Sequence, residues 1–376
     1  MPAEPPFIQV KWQEERDITT AVQSIEIEDN DRLADKATVV LSDPQRVGMN
    51  VVDRGQTIKI DLGWTSEHAV LFEGTIAQVN GHDAERSSRQ LTIIAYDKSY
   101  LMNIQAKTRE HTGTLKSILT AIVGGYPALT VGQIEPAPDT EFPATAPLRQ
   151  VNRTDLQFIQ DIASHYGARA FVEFNEGASK FYFVQESRLL EAEKMGHLKC
   201  CSGINQLLEF KYERVSSGSP PRQAAATHDP ATGETVTSPP PVEPAAPAAA
   251  TDPTLADELG RRSTGGDAVL ASGLQVAGTA PAPETQVRES SVVGLPSNPA
   301  LPASIADRRD RTRILGLRGT GLMVGSIKLR AKGKVGIEGI AAWATGDWYV
   351  SLVKHLYRGG PRPSNASYQT RFIVTR

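Results

Sequence analysis

The chain has 376 residues, 40% of them hydrophobic and 22% charged, with a net charge of −3, which is length enough for two or three domains with cores of their own. Its only cysteines, Cys200 and Cys201, are neighbours; that spacing excludes a long-range disulfide and a four-ligand zinc site, and reads as two half-buried small residues in a chain made in a reducing cytoplasm. The Pro-rich opening with Glu4 lacks the basic-then-apolar order of a secretory signal, and no apolar run reaches the roughly 20 residues of a membrane helix, so stable membrane insertion is not expected.

The charge is unevenly spread. Residues 306–376 hold fourteen Lys or Arg against four Asp or Glu, a balance of +10 that leaves −13 for the rest. Such an end suits docking onto an acidic partner, including the acidic part of a neighbouring copy, or is a solvated basic face. Direct nucleic-acid recognition is not expected, because the whole chain is acidic and no recognition-helix or zinc-finger pattern accompanies the basic end.

The first hundred residues read as short strands between turn residues. In Thr57-Ile58-Lys59-Ile60-Asp61-Leu62-Gly63 the period of two puts Ile58, Ile60 and Leu62 on one face. Ser24-Ile25-Glu26-Ile27-Glu28, 37–41, 70–76 and 91–96 are similar, at intervals typical of a sandwich or barrel. After Tyr100 the period changes. Leu115, Ile118, Leu119 and Ile122 have helical spacing and run into Gly124-Gly125, residues that tolerate a left-handed cap. A second helix starts at Asp155, with Thr154 and Gln157 in capping-box positions, Leu156, Ile159, Ile162, Ala163 and Tyr166 as its apolar stripe and Gly167 closing it. A hairpin follows, 170–174 and 181–184 around Asn175-Glu176-Gly177, giving an α+β segment.

Past a strand at 207–213, residues 216–302 are rich in Pro, Ala, Ser, Thr and Gly and nearly free of aromatics. Such a stretch buries too little apolar area to offset the roughly 1–2 kcal/mol per residue of backbone ordering, and reads as a linker or excursion with short helices at most near 252–262 and 304–311. Strand patterning returns at 325–330, 347–355 and 368–374.

Catalytic patterns are missing from this order of elements. Gly319-Thr320-Gly321-Leu322-Met323-Val324-Gly325 has one glycine too late for a dinucleotide turn and reads as a bend between strands; no Walker ending or nucleophile elbow occurs. The seven histidines are scattered. His165 sits at a helix end where it would favour the carbonyl pole, and His355 is expected to share a strand face with Tyr349, Ser351 and Val353. Glu26 and Glu28 share a strand face, a solvated arrangement more than a glycosidase pair. No catalytic, cofactor-binding or metal-binding residue is assigned, and no cofactor is expected.

Three segments together resemble one family: Gly55-Gln56-Thr57-Ile58-Lys59-Ile60-Asp61-Leu62-Gly63 with 71–76 and 91–101; Asn152-Arg153-Thr154-Asp155-Leu156-Gln157-Phe158-Ile159-Gln160-Asp161-Ile162-Ala163-Ser164-His165-Tyr166-Gly167-Ala168; and 346–355 with 368–372. It is the phage late control protein D and VgrG amino-terminal hub family of contractile injection machines. The resemblance implies a β-rich, α+β fold of two tube-like β-barrel domains, 1–105 and 199–215 with 313–376, flanking an α+β domain at 106–198. The Pro/Ala-rich insertion, 216–312, is a departure from the family. It further implies a homotrimeric ring of pseudo-sixfold symmetry in the baseplate of a phage virion or phage-like particle. The partners would be a spike protein, the hexameric inner tube or its initiator, and other baseplate proteins. No spike-like repeat follows Arg376, so the spike is expected to be a separate protein. The expected role is structural, without enzymatic activity, and Arg308, Arg309, Arg311 and Arg313 are the candidate assembly interface. The competing readings are a tail-associated peptidoglycan hydrolase using carboxylates such as Glu110 and Asp161, and a carbohydrate-binding module presenting Trp64, Trp343, Trp348 and Tyr357 on one face.

Overall fold

The structure, a computed structural model, describes residues 4–13, 16–45, 47–83, 89–175, 177–200, 207–214, 317–360 and 365–376, and the backbone of the short strands Gln223–His228, Thr235–Thr237 and Arg288–Ser291. Arg308, Arg309, Arg311 and Arg313 lie outside the described residues, as do the short helices expected near 252–262 and 304–311.

Period-two patterning at the start of the chain produces β1 (Pro6–Trp12), β2 (Val22–Asn30), β3 (Lys36–Ser42), β4 (Thr57–Trp64), β5 (Glu67–His82) and β6 (Gln90–Asp97), with the short helix α1 (Val47–Val51) between β3 and β4. Ile25, Ile27, Val39, Ile58, Ile60 and Ile93 are buried in one cluster, so one face of each strand is inward, as alternation requires.

Next come β7 (Ala106–His111), α2 (Leu115–Gly124), β8 (Thr130–Ile134), β9 (Leu148–Thr154), α3 (Asp155–His165), β10 (Ala168–Asn175), β11 (Ala178–Gln185) and α4 (Glu186–Glu191). The hairpin β10–β11 turns at Gly177, φ +79°, and β8 adds parallel to β11. Leu119, Ile159, Tyr166, Phe181 and Phe183 anchor a second buried cluster. The α3 capping box is formed in both directions: Thr154 Oγ1 accepts from Gln157 N, and Gln157 Oε1 from Thr154 N. Gly167 closes the helix at φ +57°. The expected left-handed cap of α2 is not used: Gly125 has φ −72° and its N–H bonds to the carbonyls of Ile122 and Val123 within a right-handed turn.

The last segment contains β12 (Lys194–Lys199), β13 (Leu207–Arg214), β14 (Leu317–Val324), β15 (Gly333–Glu338), β16 (Gly346–Arg358) and β17 (Ser367–Thr375). Its cluster surrounds the fully buried Trp348. The strand expected at 325–330 is instead a loop. The Gly325, Ser326 and Lys328 amides donate to Tyr368 O, Thr370 Oγ1 and Ser326 Oγ, so they build no ladder of their own. Nor do the glycines of 319–325 bend the chain between strands. Gly319 and Gly321 lie inside β14, where added Cβ atoms would come 2.5 Å from the Phe210 ring and 2.0 Å from the Phe372 ring, so their missing side chains seat aromatic rings on the strand.

The first strands run in the order β2-β3-β6-β5-β4-β1, and the last in the corresponding order β13-β14-β17-β16-β15-β12. The two sets join where β16 pairs antiparallel with β2, Leu352 opposite Asn30 through Arg358 opposite Ser24. With the two-residue strand Arg16–Asp17 this gives one 13-stranded sheet. The pairings among the described strands form an open path that closes neither set into a barrel.

The capping box is accessible to test. Thr154→Ala should lower stability by about 1 kcal/mol, measured by urea unfolding; an unchanged midpoint would mean α3 is held by packing alone.

Candidate functional site

The chemistry of the described residues concentrates where the two strand sets and the middle segment meet. On β2 the alternation that buries Ile25 and Ile27 continues to Asp29, so a carboxylate occupies an inward position and is 2% exposed. Its partners come from the loop before β15. Arg330 Nε donates to it at 2.8 Å, the Ala331 amide at 3.0 Å and Lys332 Nζ at 2.7 Å. Lys332 also lies 3.5 Å from Asp35 and against Glu173 of β10, while Arg330 reaches Glu173 at 3.0 Å. One ammonium therefore ties the start, middle and end of the chain. Lys332 holds a left-handed φ of +66° and its amide bonds to Val350 O, a conformation that costs about 1–3 kcal/mol in a non-glycine residue and is kept by the contacts it makes possible.

A second set lies alongside. Asp31 accepts from Arg169 Nε at 3.3 Å and from the Tyr349 hydroxyl at 3.2 Å, and Arg169 also pairs with Glu186. Asp97 accepts from the amides of Asp35 and Ser99, both at 2.6 Å.

Carboxylates outnumber cations here, and their ionisation divides accordingly. Burial alone would push the Asp29 carboxyl up, but the Lys332 ammonium and Arg330 guanidinium outweigh it and hold Asp29 well below the usual carboxylate range. Burial raises Asp35 well above that range, against the pull of Lys332 and with Asp29 and Glu173 adding to it. Burial likewise pushes Asp97 up to about 6, opposed by the Ser99 and Asp35 hydrogen bonds. Lys332, which burial would lower, is raised by Asp29, Asp35 and Glu173. Asp29, Asp35 and Glu173 bring carboxylate oxygens within 4.8 Å of one another, the one such group among the described residues that could hold a metal ion. The Lys332 ammonium stands among these carboxylates, so the chain supplies its own cation.

One signal for this site is present in the amino acids, the parity of Asp29 with Ile25 and Ile27. The candidates raised from the sequence are elsewhere or otherwise engaged. Glu26 and Glu28 meet Lys354 at 2.9 and 3.3 Å across the β2–β16 seam. Glu110 pairs with Arg149 on β9 and Asp161 with Arg153, separate surface pairs. His165 Nδ1 lies 2.6 Å from the Asp161 carbonyl at the end of α3. Of the four aromatics, Trp348 and Tyr357 are buried and Trp64 donates to Gly325 O at 2.7 Å; Trp343 is half exposed, so they present no common face. Cys200 is half-buried, and Cys201 lies outside the described residues.

His355 does not share its face with Tyr349 and Ser351. The register shifts between Val350 and Leu352, so Trp348 and Val350 point inward before the shift and Val353, His355 and Tyr357 after it. The His355 ring is buried, Nδ1 lies 2.9 Å from the Tyr368 hydroxyl, and burial, with Arg330 nearby, pushes its pKa down to about 3.

No protein-family model matches the chain, and no curated protein matches it. Solved structures of tail proteins and of a type VI secretion system component do share its fold. A tail protein of Neisseria meningitidis MC58 superposes with a TM-score of 0.63 at 10% identity, over 99% of this chain and 97% of that one. The 43 kDa tail protein of prophage MuSo2 from Shewanella oneidensis gives 0.62 at 10% identity over 99% and 98%. The E. coli c3393 protein, a component of the type VI secretion system, gives 0.57 at 11% identity over 97% and 76%.

Two substitutions test the junction. Lys332→Met removes the ammonium shared by buried Asp29 and Asp35 and half-buried Glu173, leaving only Arg330 on Asp29 and Glu173, and should cost about 3–5 kcal/mol at neutral pH. The pH dependence should also change. In the native chain Asp29 is depressed, so its contribution is present above its unfolded pKa of about 4 and lost as pH falls. Without Lys332 the carboxyls are raised, folding takes up protons, and the deficit of the variant should shrink as pH falls from about 7 toward 4; a deficit independent of pH would contradict this. For His355, depressed to about 3 from 6.5, stability is present above 6.5 and lost as pH falls through the window between these values. His355→Asn should remove up to one proton from the slope of unfolding free energy against pH between about 6.5 and 4, and an identical slope in both chains would refute a neutral buried imidazole.

Proposed function

We propose that the chain is a structural baseplate hub of a phage tail or phage-derived injection machine, without catalytic activity. Three copies would form a ring that joins a trimeric spike to a hexameric inner tube. The observation that carries this reading is the duplicated strand order within one sheet. A chain with two similarly built halves, repeated three times, offers six similar surfaces to one neighbour and three to the other, which resolves the mismatch of symmetry. Full-length likeness to tail proteins supports the structural role, and the use of the most buried charges as ties between segments fits a part that holds its shape. In this reading the domains are 1–105, 106–198 and 199–215 with 313–376, the two outer ones tube-like. The basic segment with Arg308, Arg309, Arg311 and Arg313 contacts an acidic neighbour. No helix of the described residues is long and apolar enough to cross a membrane.

Native mass spectrometry of the chain at increasing concentration, alone and with a co-produced spike protein, should show trimers, and a monomer throughout would contradict the hub reading. The same preparation should leave purified peptidoglycan undigested. A cleared zymogram band abolished by Glu110→Gln or Asp161→Asn would favour the hydrolase instead.

A further inference from the structure

Except at their outermost strands, where β1 is antiparallel to β4 but β12 parallel to β15, the two strand sets correspond residue by residue, and the correspondence exposes an unused half of a seam. Both β5 and β16 carry a register shift, between Ile76 and Gln78 and between Val350 and Leu352. Before each shift lies the same pairing: Gly55, itself at φ +83°, donates its amide to Ile76 O, and Lys332, itself at φ +66°, donates its amide to Val350 O. Gly55 thus corresponds to Lys332, Asp53 to Arg330, and Asn80 to Lys354. Following the ladders outward, Lys354 stands opposite Arg371, Arg371 opposite Leu322 and Leu322 opposite Glu209. In the first set Asn80 stands opposite Thr92, Thr92 opposite Val40 and Val40 opposite Ser24. Ser24 of β2 therefore corresponds to Glu209 of β13, Glu28 to Glu213 and Asp29 to Arg214.

Within the chain, β16 beyond its shift accepts β2 along one edge. The equivalent edge of β5, residues 78–82, pairs with no described strand, and the outer edge of β13 is also unpaired among them. Both are more exposed than their counterparts in the seam: Gln78, Asn80, Gly81 and His82 are exposed, as are Glu209, Lys211, Glu213 and Arg214. Directions match too, since every neighbour along the path from β13 to β5 is antiparallel.

The geometry points to a second copy of this chain as the occupant: β13 of one copy adds antiparallel to residues 78–82 of β5 in the next, repeating between chains the seam that β2 and β16 form within one. In that register Asn80 faces Glu213 and His82 faces Lys211. The charge tie is inverted. Where Asp29 meets Arg330 inside the chain, Arg214 meets Asp53 between chains, and both are exposed in the single copy. The helix α1, immediately before Asp53, holds exposed Val47, Met49 and Val51. The loop carrying Arg330 places Ile327 against the apolar cluster of the other strand set, so an apolar contact accompanies the charged one in both seams. Such a seam is heterologous and closes only as a ring. The inference rests on the hub reading for the number of copies alone.

Charge reversal and cross-linking test it in the full chain. Asp53→Arg and Arg214→Asp should each weaken self-association by at least about ten-fold, and the double reversal should restore it to within a few-fold; circular dichroism checks that these surface variants fold. With Cys200 and Cys201 replaced by Ser, Asn80→Cys together with Glu213→Cys places sulfurs on directly opposed residues, whose Cα separation of about 4.5–5.5 Å allows a disulfide. Oxidation should give a covalent ladder ending at three chains. A ladder closing at another number supports the seam and overturns the threefold ring. Trimers by native mass spectrometry without cross-linking or rescue overturn the seam and leave the ring standing, and a chain monomeric at every concentration overturns both.

Discussion

Asp29 has given up almost all of its water, and each of the three donors that replace it comes from the loop at 330–332, some three hundred residues away in sequence. A carboxylate left alone in such a place would be neutralised or expelled. Here an ammonium, a guanidinium and an amide converge on it within 3.0 Å. Buried ion pairs of this kind add little net stability over apolar packing. Their effect is on alternatives: sliding β2 along β16 by two residues would keep the alternation of faces but take Asp29 out of reach of its donors. The register of the seam is set by that constraint, while apolar burial drives the approach of the strands.

From the fixed register follows the rest of the architecture. One loop brings Lys332 to Asp29, Asp35 and Glu173, so the middle segment is tied at the point where the two strand sets join. The sheet then runs unbroken through both sets, and among the described residues the stretch 78–82 and the outer edge of β13 are left without strand partners. Exposed edges of this sort are commonly shortened, covered or charged in proteins that stay single. In this chain the two lengths are complementary in direction and, at Asp53 and Arg214, in charge, which fits a part built to be joined.

Local features were readable in the amino acids because their causes are local. The alternation of Ile58, Ile60 and Leu62 and the capping pair Thr154 and Gln157 each depend on residues a few positions apart, and both are present in the folded chain. The face change at Ser351 was not readable, since one extra residue in a ladder leaves no mark in composition. Residues 325–330 alternate like a strand, yet the Gly325 and Ser326 amides serve Tyr368 and Thr370 of β17 and the Lys328 amide a local hydroxyl. Asp29 carried the one usable hint, its parity with Ile25 and Ile27, but nothing nearby named Lys332 as the cation. The correspondence of the two strand sets likewise lies in ladder registers and φ values: Asp53 and Arg330, its equivalent, differ even in the sign of their charge.

A register held by Asp29 and its donors makes the β2–β16 seam a permanent weld. Amide hydrogen exchange of the native chain, resolved along residues 24–30 and 352–358, tests this most directly. The hydrogen-bonded amides of both stretches should exchange as slowly as those flanking the buried Ile58, Ile60 and Trp348, through global unfolding only. Exchange of the seam at a distinctly lower opening free energy, with the two strand sets still protected, would show that they part while each stays folded, and would contradict the weld.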